Sequence, residues 1–340
     1  MKNIIYICLI MSMCLGSCAI LSKNQNYTSI NLEYDQSQNI NYAGVIPIKI
    51  KMSNEEGKQK DITDKRDLQI VLTGGTFLDG NIYIDSFPKS FDETQIKITA
   101  SYIHNENSLT NTALIDYNFK GTLTINFQGV DGIEGDKANR KLKPVLLSDG
   151  KDGRDGEDGL NGSHGREISV KVWKHTSDEF YVFKVEDLIT NQIFYYKYYD
   201  NGFGVKIDAS GGQGGKGGNG SKGTDGRKGR IKDDSNINPG DGGNGGNGGN
   251  GGTGGNGGKV YLYLHPTAEN LKQKILVYNL GGKAGEAGAA GEAGDPGKAL
   301  DGQEEGKQGI DGQVGKIGKS GESGPLPQIM IENFNRSTEE

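Results

Sequence analysis

The chain has 340 residues and a formal net charge of −6. This acidic balance provides no basic footprint for a phosphate backbone, so we expect no nucleic-acid partner. Only 33% of the residues are hydrophobic and 56 are glycine, but the glycine is concentrated in a few tracts, so the average composition describes no single segment.

The N-terminus has the pattern of a secretory signal, with Lys2 followed by an apolar run at 4–15 that is too short to span a bilayer. The sequence LGSC at 15–18 then resembles the lipobox of bacterial lipoproteins. This resemblance implies a signal peptide at 1–17, cleavage before Cys18 and a diacylglyceryl lipid on its thiol. The alternative is an ordinary secretory signal with an incidental cysteine.

Cysteine usage is consistent with that processing. Cys8 and Cys14 would leave with the signal and Cys18 would carry the lipid, so the mature chain would have no disulfide and no thiol metal site. Ala19 follows, and the same resemblance, to the lipoproteins of enteric bacteria, implies the outer membrane. We therefore expect membrane attachment through the lipid on Cys18 and no other cofactor.

Two segments precede the glycine. Residues 18–40 are polar after the cysteine and predict a tether. Residues 41–128 contain six or seven short stretches with period-two alternation, such as VIPIKIKM and QIKITASYI, separated by turn residues. This pattern predicts an immunoglobulin-like β-sandwich.

Five tracts then carry glycine at every third position, with 16 to 19 residues in each. They are 150–165, 211–229, 240–258, 282–297 and 306–324. We predict a glycine-rich module over 129–327, in which these tracts alternate with β-hairpins or a meander, and a C-terminal strand and tail at 328–340. The overall fold class is therefore mainly β.

The glycine period has three interpretations. A collagen-like stalk is disfavoured by the scarcity of proline and by the interruptions between tracts. A flexible linker gives no reason for a strict period. We favour a bundle of polyglycine-II helices, because a period of three clears one face for close lateral approach and the similar tract lengths suit a side-by-side bundle. Because 240–258 has two glycines in nearly every triplet, two of its faces are clear, and we expect it to lie most deeply in the bundle.

Such a bundle needs an apolar platform, since ordering glycine is entropically unfavourable. Ten aromatic residues between 173 and 203 fall on strand-like stretches that predict a meander covering the bundle. Tyr195, Tyr196, Tyr198 and Tyr199 lie together on one of these stretches. Packing against the bundle is one interpretation of them, and a binding face for a glycan or a protein is the other.

The glycine pattern resembles two known modules: the extracellular glycine-rich domain of the anaplastic-lymphoma and leukocyte receptor tyrosine kinases, and the tip adhesin of some phage long tail fibres. The resemblance covers roughly 129–325 and rests on tracts such as GGNGGNGGNGGTGGNGG, not on aligned side chains. It implies a polyglycine-II fold. Because both relatives are recognition proteins, it also implies an interaction role.

Catalytic and metal-binding patterns are weak. The four histidines have no metal-ligand spacing, and no nucleophile motif is present. Asp149, Asp152, Asp155 and Asp158 recur every third residue, and a calcium ladder is one interpretation. Consecutive carboxylates would be ~9 Å apart, too far to share an ion, so a solvated edge is favoured.

These observations predict a non-enzymatic outer-membrane lipoprotein that acts as a surface structural or interaction protein, similar to an adhesin, with an unidentified protein or glycan partner. An accessory subunit of an outer-membrane transport or assembly complex is the first alternative. A collagen-like trimeric surface stalk is the second.

Overall fold

The fold is mainly β, as the sequence predicts. The computed structural model describes residues 27–88, 95–104, 107–117, 120–138, 149–176, 180–232 and 235–336. The predicted signal, Cys18 and the residues that follow it up to 26 lie outside the described residues, as do the last four residues of the predicted tail.

The N-terminal sandwich consists of two antiparallel sheets. Its strands are β1 (Ser29–Tyr34), β2 (Val45–Ser53), β3 (Gln59–Asp61), β4 (Leu68–Thr73), β5 (Gly75–Leu78), β6 (Asn81–Ile84), β7 (Gln95–His104) and β8 (Asn107–Asp116). One sheet has the order β1-β2-β6-β5 with β3 on β2, and the other has the order β4-β7-β8. With β3 set aside, this is the ABED and CFG order of a constant-type immunoglobulin sandwich, in agreement with the predicted type of sandwich.

Alternation of side chains produces the core of this sandwich. In β2, every second residue points inward, so that Ile46, Ile48 and Ile50 are fully or almost fully buried. Ile46 and Ile48 meet Ile96 and Ile98 of the opposite sheet in one apolar cluster. Ile50 lies in a second cluster, which includes Ala100 and Tyr102 of the opposite sheet. The period-two pattern that predicts these strands is therefore the pattern that fills the core.

Both predicted boundaries of the sandwich need correction. The tether cannot extend to residue 40, because β1 pairs with β2 and Ile30 and Ile40 are buried in the sandwich. At the other end, Leu123–Asn126 forms β9, which belongs to a sheet of the following module. Alternation alone identifies a strand but not the sheet that it joins, so the sequence assigned this strand to the wrong unit.

A second sandwich, here called the basal sandwich, follows. Its parallel three-stranded sheet has the order β17-β13-β9, with β13 at Val205–Asp208 and β17 at Ile275–Tyr278. Its five-stranded sheet has the order β12-β11-β10-β16-β18. The strands of that sheet are β10 (Ile168–Lys174), β11 (Phe180–Asp187), β12 (Gln192–Tyr199), β16 (Val260–Leu264) and β18 (Gln328–Ile331). A 3-10 helix at Pro266–Leu271 precedes β17.

The meander prediction is correct for β10, β11 and β12, which pair antiparallel in chain order. The next strand, β13, crosses to the opposite sheet and pairs in parallel with β9 and β17. β18 also belongs to the basal sandwich and not to a separate C-terminal unit, because it pairs with β16.

The glycine tracts lie side by side and form what we call the glycine array. Tract 1 is 129–138, and tracts 2 to 6 are the five predicted tracts in chain order. Tracts 1, 3 and 5 are parallel and form the odd layer, and tracts 2, 4 and 6 form the even layer, antiparallel to the first. Tract 1 was missed as a separate tract, although Gly129, Gly132 and Gly135 already keep the period.

The array is a direct continuation of the basal sandwich. β9, β13 and β17 lead into tracts 1, 3 and 5, and tracts 2, 4 and 6 lead into β10, β16 and β18. The chain therefore makes three long hairpins, each built from a strand, an outgoing tract, a returning tract and a strand. At the far end of the second hairpin, β14 (Arg230–Lys232) and β15 (Ser235–Ile237) form a small turn.

Backbone hydrogen bonds join the tracts at every third residue. In the odd layer, the N–H of Gly214 donates to the carbonyl of Lys283 at 2.9 Å, and the same pattern repeats every three residues. Between layers, the N–H of Gly249 donates to Gly218 and the N–H of Gly288 donates to Gly249, at 2.8 and 2.9 Å. Tracts 3 and 4 each bond to four other tracts, two in each layer, whereas the remaining tracts bond to two or three, so the predicted deep position of 240–258 is correct and is shared by 211–229.

No helix or strand is assigned to the tracts, and a regular polyglycine-II helix is not visible as an element. That interpretation therefore stays a prediction. The structure shows lateral bonding between tracts of one chain, with antiparallel neighbours. The collagen interpretation instead required separate arms that wind with other chains.

Glycine occurs in a tract where a Cβ would collide with a neighbouring tract. We number the residues of a triplet so that the first carries an outward side chain, as in Asn247-Gly248-Gly249. A Cβ on the second residue would overlap the next tract in chain order, since one on Gly248 would strike the carbonyl of Gly288. A Cβ on the third residue would overlap the preceding tract of the same layer, since one on Gly249 would strike Glu157.

This geometry accounts for single and double glycines. Tracts 1 and 2 have no preceding tract in their layer, so the third residue carries side chains such as Ile133 and Leu160. Tracts 3 and 4 are enclosed, and both positions are glycine over 242–258 of tract 4 and as far as Gly218 of tract 3, where a Cβ would strike Asp136 of tract 1. Tract 6 has no tract after it, so its second residue carries side chains such as Val314 and Ile317. Tract 5 departs from this pattern, because its second residue is alanine, as at Ala284, although tract 6 lies beside it.

The aromatic platform was predicted to cover the array, and this is wrong. The aromatic residues pack inside and on the basal sandwich, and their main cluster contains Phe183, Tyr196 and Tyr198 together with Ile125 and Leu262. Because the tracts continue the strands at their ends, the array extends away from the sandwich. Covalent continuity and a shared register orient it, and apolar coverage does not.

We expect Gly249→Ala to destabilise the protein by about 3 kcal/mol, because its Cβ would overlap a backbone carbonyl that cannot move without breaking the lattice. The matched control is Leu160→Ala, at the third triplet position of tract 2, where the side chain points outward and is 58% exposed. Thermal melting of both variants by circular dichroism measures the difference. Equal melting temperatures for the two variants would contradict the steric explanation.

Candidate functional site

The four tyrosines predicted as a binding face do not share a face. Tyr196 and Tyr198 are 0% and 1% exposed and lie in the core of the basal sandwich, whereas Tyr195 and Tyr199 lie on the outer side of β12. Successive side chains of a strand point to opposite faces, so Tyr195 and Tyr199 are separated from Tyr196 and Tyr198. The predicted surface is therefore reduced to Tyr195 and Tyr199.

The buried tyrosines have structural partners. The hydroxyl of Tyr196 donates to the carbonyl of Ser86 at 2.9 Å, and that of Tyr198 donates to the carbonyl of Phe203. Burial raises the pKa of the Tyr198 hydroxyl to about 12 and raises the pKa of the Tyr196 hydroxyl further. Both groups therefore stay protonated and attach β12 to its surroundings.

The N-terminal sandwich docks on the edge of β12. The backbone N–H of Tyr195 donates to Pro88 at 2.9 Å, and that of Lys197 donates to the hydroxyl of Tyr42 at 3.1 Å. The ring of Tyr42 contacts that of Tyr196 edge-on, with centroids 5.1 Å apart. Because this edge is covered, β12 does not offer an open strand for a partner to extend.

The outer face of the five-stranded sheet combines aromatic rings with lysines. Lys184 lies 5.5 Å from the ring centre of Tyr195, and Lys197 lies 5.0 Å from that of Phe180. The C-terminal segment crosses this face and places Phe334 edge-on to Trp173 at 6.1 Å. Trp173 and Phe180 are only 4% and 3% exposed, so internal contacts account for most of this aromatic surface.

Side chains of the even layer form a second periodic feature. The Oδ1 atoms of Asp152, Asp155 and Asp158 accept the backbone N–H groups of Asn244, Asn247 and Asn250, at 2.7, 2.6 and 2.5 Å. The side chains of these asparagines accept in turn from tract 6. The ladder predicted at Asp149 to Asp158 is therefore solvent-exposed, as expected, and each carboxylate also bonds to the backbone of the neighbouring tract.

The two lateral sides of the array carry side chains instead of bonded neighbours. We call the side made by tracts 1 and 2 the start edge and the side made by tract 6 the end edge. Val130 and Ile133 of the start edge are 76% and 70% exposed, and Val314 and Ile317 of the end edge are 67% and 73% exposed. Neither edge was predicted, although side chains at the third position of tracts 1 and 2 and at the second position of tract 6 mark them in the sequence.

A buried carboxylate holds the hairpin between β11 and β12. Asp187 is fully buried, pairs with the guanidinium of Arg166, and accepts the backbone N–H groups of Ile189 and Thr190 at 2.9 and 3.2 Å. Burial opposes ionisation, but these hydrogen bonds outweigh it and hold the pKa of the Asp187 carboxyl below its ordinary value. The group therefore supports the base of tract 2, which ends at this arginine.

The described ranges contain neither a cluster of metal ligands nor a membrane-spanning helix. Within them, no three histidine, cysteine or acidic side chains come together in a way that could hold a metal ion. In the same ranges, no helix has the length and apolar character needed to cross a membrane. Comparison with known proteins found no match among family models, curated proteins or solved structures.

We expect Asp155→Ala to lower the unfolding free energy by about 1 kcal/mol, because the N–H of Asn247 loses its protein acceptor. Asp155→Asn is the matched control, since its amide oxygen can accept the same bond. Chemical denaturation of the three proteins distinguishes the effects. A loss in the asparagine variant equal to that in the alanine variant would mean that the charge, and not the bond, matters.

The pKa of an aspartate in the unfolded chain is about 3.9. The pKa of the Asp187 carboxyl in the folded protein is lower than this. Its contribution to stability is therefore present above that unfolded value and is lost as the pH falls through the folded pKa. We expect Asp187→Asn to lower the melting temperature at pH 7 and to reduce its fall below pH 4. If the melting temperatures of both proteins fell by the same amount from pH 7 to pH 3, this role would be contradicted.

Proposed function

We propose that this chain is a non-enzymatic, lipid-anchored surface protein of the outer membrane whose role is structural or adhesive. The observation that carries the proposal is the glycine array, a bonded six-tract backbone that begins at the basal sandwich and ends far from it. At ~3.1 Å per residue, tracts of 16 to 19 residues extend roughly 50 to 60 Å.

The array is suited to display and not to chemistry. Its first triplet residues point outward at a spacing of ~9 Å along each tract, and the backbone bonds on both sides limit their relative movement. Catalysis requires groups that converge within hydrogen-bond reach of one substrate. A surface of regularly spaced, solvent-facing side chains instead favours extended contact with a protein or a glycan.

The polyglycine-II interpretation supports the same function. We propose that each tract has the three-fold conformation of that helix, because its lateral bonds recur every three residues. Strands of the basal sandwich, about 4.8 Å apart, continue into the tracts, so the sheets impose the close spacing that only glycine tolerates. This explains how a segment with few apolar contacts becomes a stiff spacer.

An accessory role in an outer-membrane transport or assembly complex is the second candidate. It is favoured by Tyr199 on the outer face of the five-stranded sheet, which is 46% exposed, because aromatic side chains are enriched in interface cores. Mild detergent extraction discriminates the two functions. A stoichiometric partner that co-purifies would favour the complex subunit, and isolation of this chain alone would favour the independent surface protein.

The anchor is tested by expressing the full chain and its Cys18→Ser variant in a bacterium supplied with labelled palmitate. We expect label and outer-membrane fractionation for the parent and neither for the variant, because the thiol is the proposed attachment point. Protease added to intact cells should degrade the parent if it faces outward. Equal labelling of parent and variant would refute lipidation at this residue.

A further inference from the structure

Exposed apolar residues of the start edge and of the end edge lie at the same level along the tracts. A continuous chain of backbone hydrogen bonds runs from Gly318 through Gly285, Gly252 and Gly215 to Leu160, each bond being 2.8 to 3.0 Å long. Leu160 then donates to Ile133 at 2.9 Å. Since Ile317 precedes Gly318, the exposed Ile317 of the end edge lies level with the exposed Ile133 and Leu160 of the start edge.

In two rows of the even layer, an aspartate on the start side lies level with a lysine on the end side. The N–H of Lys316 donates to Asn250, whose own N–H donates to Asp158, so one row of the layer has Asp158 at one side and Lys316 at the other. A second row connects Asp149 through Asp241 to Lys307. If the layer were repeated by lateral translation, lysine would lie beside aspartate in both rows.

Backbone bonding cannot join such copies. Continuation of the lattice would require glycine at the third position of tracts 1 and 2, where this chain has side chains such as Ile133 and Leu160. Any contact between the edges must therefore use those side chains. The exposed apolar residues are the ones available at the shared level, because Leu160 and Ile317 are 58% and 73% exposed.

We propose that the end edge of the array binds the start edge of a second copy of this chain, with Ile317 packing against Ile133 and Leu160 and with Lys316 paired to Asp158. The interface is heterologous, so each copy keeps one free edge and association is open-ended. Copies then stand side by side with parallel axes. The interaction goes beyond the proposed function and does not depend on the lipid anchor.

Cross-linking of single-cysteine variants of the full chain tests the arrangement. Leu160→Cys and Ile317→Cys are purified separately, mixed, and treated with a short bismaleimide, with the parent chain as control for its own cysteines. We expect a cross-linked dimer in the mixture and only background in either variant alone. Glu286→Cys, on the exposed outer side of tract 5, is the matched control and should give no dimer with Leu160→Cys.

A charge exchange tests the register. We expect Lys316→Glu in the Ile317→Cys chain to reduce the yield of dimer by about fivefold, and Asp158→Lys in the Leu160→Cys chain to restore it. Melting curves establish that each variant is folded. Absence of dimer in the folded mixture, or dimers in each variant alone at the yield of the mixture, would overturn the proposal, and neither result would bear on lipidation or on adhesion.

Discussion

The structure depends on one interaction, the backbone hydrogen bond between neighbouring tracts, and on the absence of a Cβ that permits it. An isolated glycine tract would lose more conformational entropy on ordering than any other sequence and gain no internal bonds. In the array, each bond that forms orients the next tract, and rows of bonds cross all six tracts. Low local dielectric and mutual polarisation strengthen such chains of bonds, so the array is stable only as a whole.

The basal sandwich solves the problem of nucleation. Val205–Asp208 pairs with Leu123–Asn126 on one side and with Ile275–Tyr278 on the other, and these strands lead directly into the odd tracts. Apolar residues such as Ile125 and Ile207 are fully buried between the two sheets. Burial of these side chains supplies the free energy that aligns the first residues of each tract, and the remaining bonds follow in register.

The sequence predicted much of this from period alone. Alternation identified strands such as Val45–Ser53, and triplets identified five tracts and the enclosed position of 240–258. It failed where a local pattern must be combined with long-range pairing. Leu123–Asn126 has the same alternation as its neighbours but pairs with Val205–Asp208, a strand far along the chain. The predicted binding face is wrong for a different reason: alternation already puts aromatic residues on both faces of this strand, so Tyr195 and Tyr196 could not belong to one face.

Three hairpins with almost no side chains inside have an unusual thermodynamic consequence. Unfolding of the array would expose peptide groups at positions such as Gly218, Gly249 and Gly288 and little hydrocarbon. Exposure of polar surface lowers the heat capacity of unfolding, whereas exposure of apolar surface raises it. The stability of the array should therefore change with temperature along a flatter curve than that of the two sandwiches. The array is thus a part of the protein that cooling weakens least.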